Sequence, residues 1–162
     1  MKKALSVAFL LAVFVSVDAQ EKCGIKKGWA FYTVNVPGVQ MTDGKGNPVD
    51  PIPFTDHFIY IESKGAAKPV IETVLYNNIP LEVIVKNTEG RKVSAGKRTN
   101  GKDESITAKK GNSIWKIEVQ PPRDKPLVIQ DSKNIVIRIK AGSTKCEYHL
   151  SKETELMSIP RY

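Results

Sequence analysis

Two cysteines and two histidines are all that the chain of 162 residues offers among the side chains that most often bind metals or serve as nucleophile and base. Cys23, Cys146, His57 and His149 stand far apart in sequence, with no C-x-x-C or H-x-x-x-H spacing, so the usual zinc frameworks are excluded. The chain also lacks G-x-S-x-G, H-E-x-x-H and a P-loop, which removes the nucleophile elbow, the zincin helix and the phosphate cradle. Aromatic residues make up 7% of the chain, and none interleaves with its densest basic stretch, so a stacking platform for single-stranded nucleic acid is not expected. After residue 17 no apolar run approaches the roughly 20 residues of a membrane-spanning helix. These absences point to a protein that is not an enzyme, uses no cofactor or metal, binds no nucleic acid and has no membrane span once its leader is removed.

The leader itself is well marked. Lys2 and Lys3 precede the 14-residue apolar stretch Ala4–Val17, and Val17 and Ala19 occupy the −3 and −1 positions of a cleavage site. The expected organisation is a cleaved signal peptide over 1–19 and a single β-rich domain over 20–162, secreted or periplasmic. Without Lys2, Lys3 and Asp18, the 25 basic and 17 acidic residues become 23 and 16, a net charge of +7. That balance favours acidic partners and says nothing about fold.

Cys23 falls four residues after the expected cleavage site. Gln20, Glu21 and Lys22 before it are all polar, unlike the apolar and small residues that precede a lipid-modified cysteine. In an exported protein the simplest partner for Cys23 is Cys146. Strand alternation in "STKCEYHL" puts Cys146, Tyr148 and Leu150 on one face and Glu147 and His149 on the other. A catalytic thiol paired with His149 is opposed by that geometry, and nothing recommends Cys23 with His57. A Cys23–Cys146 disulfide is therefore expected, closing a loop long enough to remove up to about 5 kcal/mol of unfolded-chain entropy.

The rest reads as strands. Trp29–Val36, His57–Ser63, Val70–Tyr76, Leu81–Lys86, Ser105–Lys109, Ser113–Val119, Asn134–Lys140 and Cys146–Ser151 are short and rich in β-branched or aromatic residues. Trp115, Ile117 and Val119 alternate with Lys116 and Glu118, and Ile135, Ile137 and Ile139 with Arg138 and Lys140. That period of two marks half-buried antiparallel strands. Gly and Asn in "DGKGNP", "NN", "NTEGR", "TNGK" and "KKGN" supply the turns, so Val70–Val119 reads as consecutive hairpins. Val49–Asp56, with two prolines, and Gln120–Pro126 read as irregular connections. The expected fold is all-β, an antiparallel two-sheet sandwich of general immunoglobulin-like architecture, with an up-and-down barrel as the alternative. "TDGKGNPVD" resembles a turn near the start of many bacterial immunoglobulin-like modules, which bears on the fold and carries no function.

Three features are candidates for function. The first is basic: Lys86, Arg91, Lys92, Lys97, Arg98, Lys102, Lys109 and Lys110 face only Glu89, Asp103 and Glu104 within Lys86–Lys110. Hairpin stacking would bring Arg91 and Lys110 to one end of the sheet and Arg98–Lys102 to the other. The functional reading is anion binding; the plainer one is a solvated lysine-protected edge. The second is aromatic: Trp29 with Phe31, and Phe58 with Tyr60, share strand faces and read as core, since a carbohydrate platform would need them exposed. The third, Asp43, Asn47 and Asp50, suggests calcium, but Lys45 and Pro48 stand where an EF-hand needs an oxygen ligand and glycine.

The function expected is an exported, non-enzymatic binding or cell-envelope structural protein whose partner is an anionic envelope component, a glycan or lipid, or another secreted protein. The alternatives are a small-ligand carrier built on a barrel and a hydrolase with dispersed residues. In the latter, neighbouring Asp56 and His57 point to opposite strand faces and cannot readily orient one another.

Overall fold

The computed structural model of the chain describes residues 23–36, 41–50, 53–120 and 134–158. The expected signal segment lies outside these residues, as do 51–52 of the first irregular connection and 121–126 of the second. Among the described residues the chain is all-β and contains no helix.

Twelve strands run in chain order as β1 (Ile25–Asn35), β2 (Met41–Thr42), β3 (Pro48–Val49), β4 (Phe54–Lys64), β5 (Val70–Tyr76), β6 (Ile79–Asn87), β7 (Lys92–Lys97), β8 (Asp103–Thr107), β9 (Asn112–Gln120), β10 (Ile135–Ala141), β11 (Thr144–Leu150) and β12 (Glu153–Leu156). Eight of them form one sheet in the order β11-β10-β5-β6-β9-β4-β1-β12, curled into a half-barrel. Every pair is antiparallel except β1–β12. β2–β3 and β7–β8 are separate two-stranded hairpins.

The expectation of consecutive hairpins from Val70 to Val119 meets one correction. β6 pairs directly with β9, with Val85 opposite Ile117, and β7–β8 is an excursion between them. The hairpin folds over the outer face of the sheet because that face is also apolar. Phe31, Tyr60, Ile114 and Leu156 there meet Ile106 and Ala108 of the hairpin in a second core. The main core fills the inside of the curl, where Ile59, Ile61, Trp115, Ile117 and Ile137 are buried. Strand alternation sorts the two sets: Trp115 and Ile117 go inward, Ile114 and Lys116 outward. Each fully buried isoleucine is worth about 2–3 kcal/mol.

Two features produce the curl. β5 and β6 pair only over Val74–Tyr76 and Ile79–Leu81, across a turn in which Asn77 and Asn78 both take positive φ, and then part company. Away from that fork Cys23, just before β1, is joined to Cys146 of β11, 123 residues apart in sequence. β1 and β11 approach so closely that a Cβ on Gly28 would lie 2.8 Å from Tyr148 Cε1 and 3.1 Å from Leu150 Cδ2. The disulfide thus ties the margin strand β11 to the start of β1, next to the other margin.

Candidate functional site

The eight bases singled out in the sequence divide. Lys86 lies on the outer face of β6 with Nζ 2.6 Å from Glu118 Oε2, while Lys116 holds the other oxygen at 3.2 Å. Lys97, Arg98 and Lys102 sit at the far end of the β7–β8 hairpin, where Arg98 N–H donates to the Lys102 carbonyl at 2.8 Å and its guanidinium pairs with Glu104. Arg91, Lys92, Lys109 and Lys110 share the near end, fixed by a 2.7 Å bond from Ala108 N–H to the Arg91 carbonyl.

To that near end the fold brings six lysines from distant parts of the chain. Lys26 and Lys27 open β1 beside the disulfide, and Lys64 closes β4, its N–H donating to Gly24 O at 3.1 Å. Gly65 N–H donates to Gly111 O at 3.0 Å, which sets Lys64 beside the Lys109–Lys110 turn. Lys68 precedes β5, and Lys140 pairs in register with both Val70 and Lys145 at the ends of β5 and β11. All ten residues are exposed. The acids in these segments are Glu62, which is buried; Glu72, 3.5 Å from Lys145; Glu89; and Glu147, which pairs with Arg138 at 2.9 Å. Basic charge is therefore concentrated at the disulfide end of the sheet.

Glu62 builds part of this face from beneath. Its side chain is 1% exposed, and Oε1 accepts from Lys109 N–H at 2.9 Å and Asn112 Nδ2 at 2.6 Å. The buried carboxylate anchors the turn that carries Lys109 and Lys110. Beside it, Trp115 Nε1 donates to Ser63 Oγ at 3.0 Å.

No single window of sequence could reveal this face. Lys26, Lys27, Lys64, Lys68, Lys140 and Lys145 lie as far as 119 positions apart and look like ordinary surface lysines. In sequence they fall at the starts of β1 and β11, at the ends of β4 and β10 and just before β5, and only the alternating strand directions bring them to one end.

The opposite end is different. A cavity of about 530 Å³ lies there on the outer face, between the sheet and the edge of β7. Asp56, Phe58, Lys116 and Glu118 form its floor, with Ala95, Gly96, Leu156 and Met157 at its margin. Asp56 accepts from Asn35 Nδ2 at 2.8 Å. Hydrogen bonding from Lys86, then from Lys116, holds the Glu118 carboxyl below the usual carboxylate range, so it stays an anion and is ill suited to donate a proton. Phe58 lies in the row of packed rings Phe31, Phe58 and Tyr60, with Lys116 Nζ 4.9 Å from its centroid.

His57 and Asp56 do point to opposite faces. The imidazole turns inward, where Nδ1 lies 3.0 Å from Glu153 Oε1, and it takes no part in orienting Asp56. His149 is exposed beside Glu147. Asp43 accepts three bonds from its own turn, from Lys45 N–H, Asn47 N–H and Asn47 Nδ2, and these hold its carboxyl below the ordinary range. Among the described residues no cluster of three or more His, Cys, Asp or Glu is arranged to hold a metal ion, and no helix is long and apolar enough to cross a membrane.

The fold and face together define a disulfide-stapled all-β domain with basic charge at one end. Comparison with protein-family models, curated proteins and solved structures gave no match.

Proposed function

We propose that the chain is an exported, non-enzymatic binding or cell-envelope structural protein, secreted or periplasmic, that engages an anionic glycan or lipid through its disulfide end. The observation that carries this reading is the gathering of ten exposed bases from seven strands and their turns at one end of a covalently closed sheet. Charge brought together from remote sequence produces a field that attracts polyanions and speeds their encounter. The disulfide is compatible with an extracellular location, since such bonds persist in oxidising compartments. For the finer architecture, the fork between β5 and β6 favours a two-sheet, immunoglobulin-like sandwich, and the approach of β11 to β1 favours a barrel.

The test is retention of the 20–162 protein on an immobilised sulfated polysaccharide and on anionic vesicles across a salt gradient. Retention on at least one that weakens steadily with salt is expected. Failure to bind either at low salt overturns the reading.

A second reading, a small-ligand carrier, draws on the 530 Å³ cavity, whose size suits a small molecule. It lies outside the curl, whose interior is packed with side chains.

A further inference from the structure

We infer that the disulfide end is a docking face for a lipid bilayer with anionic headgroups, against which the domain stands end-on. The inference rests on the anion-binding reading above and narrows it to one partner. The bases come from strand ends and the turns beyond them, not from a channel along the strands: Lys64 closes β4, Lys109 and Lys110 precede β9, Lys140 nears the end of β10 and Lys145 opens β11. Charges distributed around the end of a curled sheet make a broad face. A linear polyanion is better held by a groove running along the strands, whereas two concave sites of the domain lie away from these lysines, one at the opposite end and one beside β12.

Composition supports the same partner. Nine of the ten bases are lysine. Lysine is a hydrated point charge on a flexible stem, suited to a diffuse field of phosphates, whereas a site built for one phosphate or carboxylate group gains from the arginine fork. Between Lys64 and Lys68 stand exposed Ala66 and Ala67, and Val70 just beyond is 56% exposed. Small apolar groups between lysines can settle at headgroup level without inserting deeply. The buried Glu62 anchor and the disulfide keep the turns in place, so little order must be gained on docking.

The experiment is co-sedimentation of the 20–162 protein with vesicles of about one part phosphatidylglycerol to two parts phosphatidylcholine, with phosphatidylcholine alone as the control. Each lysine near such a surface is worth about fivefold in partitioning, so the triple variant Lys64→Glu, Lys110→Glu, Lys140→Glu should lose at least 100-fold or so. A second triple, Lys45→Glu, Lys97→Glu, Lys102→Glu, makes the same change in net charge away from the face and should lose less than about tenfold. Thermal midpoints within a few degrees of the parent show that both triples are folded. Equal losses in the two triples would overturn the face. Salt-sensitive retention on a sulfated polysaccharide without vesicle binding would overturn the bilayer and leave the anion-binding reading standing. Binding to neither would overturn both.

Discussion

His57 Nδ1 lies 3.0 Å from Glu153 Oε1, with each side chain 5% exposed, and this pair ties β4 to the C-terminal strand β12 across β1. The Tyr76 ring meets the imidazole edge-on at 5.2 Å, and its hydroxyl faces the Glu153 carboxylate outside strict hydrogen-bond geometry. His57 Nε2 is buried and finds no hydrogen-bond partner among the described residues. β12 is also tied by four register positions on β1, the Tyr32 hydroxyl donating to Glu155 at 3.2 Å, the bridge from Arg98 to Leu156, and Leu156 in the second core. Removing one member strands the other in a dry site. Glu153→Ala should therefore cost about 1–3 kcal/mol in urea denaturation, while His57→Leu with Glu153→Leu should cost less than the sum of the single changes. Additive losses would show that the two groups do not depend on each other.

The join between β1 and β11 yields a second expectation. Mild reduction, or Cys23→Ser with Cys146→Ser, should lower stability by up to about 5 kcal/mol. Gly28→Ala should cost about 1–3 kcal/mol with the disulfide intact, because the new methyl meets a ring edge of Tyr148 that cannot swing aside easily. Denaturant midpoints measure both. A neutral Gly28→Ala would mean that β1 and β11 stand farther apart than 2.8 Å from Cβ to ring allows.

Alkaline pH tests both cores, Tyr76 and Tyr148 in the inner one and Tyr60 in the second. Burial raises the phenol pKa of Tyr76 most, with the Glu153 charge adding to it, and raises those of Tyr60 and Tyr148 as well. A raised folded value means that the native state favours the neutral phenol. The stability this gives is whole below the unfolded value of about 10 and is lost as pH rises beyond it. Tyr76 should cost about 1.4 kcal/mol per pH unit there, and Tyr60 and Tyr148 act in the same direction. Absorbance near the phenolate band should therefore show these groups ionising together with unfolding, and Tyr76→Phe should flatten the alkaline slope. Independent titration near pH 10 in a folded protein would contradict the burial.

Much of the strand pattern was legible because it rests on local alternation. The β9 set Trp115, Ile117 and Val119 and the β10 set Ile135, Ile137 and Ile139 were visible as period-two faces, and both are buried. The Cys23–Cys146 bond followed from the scarcity of cysteine. What escaped was long-range. β7 and β12 are short and polar in sequence, and each is held by partners remote in the chain: Arg98 bridges Leu156, and Glu153 meets His57. The irregular reading of Val49–Asp56 gave Phe54, Thr55 and Asp56 to a loop because Pro51 and Pro53 precede them, yet β4 begins at Phe54, one residue past the second proline. The basic face was half-hidden for the same reason as β12. Lys92, Lys109 and Lys110 were visible as a cluster, while Lys26, Lys64, Lys140 and Lys145 join them only through strand order.

Lys86 shows how a base can belong to the sequence cluster and still be used elsewhere. Its ammonium is 2.6 Å from Glu118, which also receives Lys116 at 3.2 Å, and the two cations keep the Glu118 carboxyl below its usual range against the opposing effect of burial. A depressed folded value contributes stability above the unfolded carboxylate pKa, and that contribution disappears as pH falls through the lowered folded value. Lys86 is 55% exposed, so solvent screens the pair and the contribution is about 0.2–1 kcal/mol. Glu118→Gln should therefore lower stability by that amount at neutral pH and by almost nothing once the parent carboxylate is protonated. High salt should shrink the neutral-pH difference as well. The same substitution releases Lys86 and Lys116 without touching the disulfide end, so partitioning to anionic vesicles should stay within about threefold of the parent, less than the fivefold worth of one docked lysine. A large gain in partitioning would place Lys86 on the docking face after all.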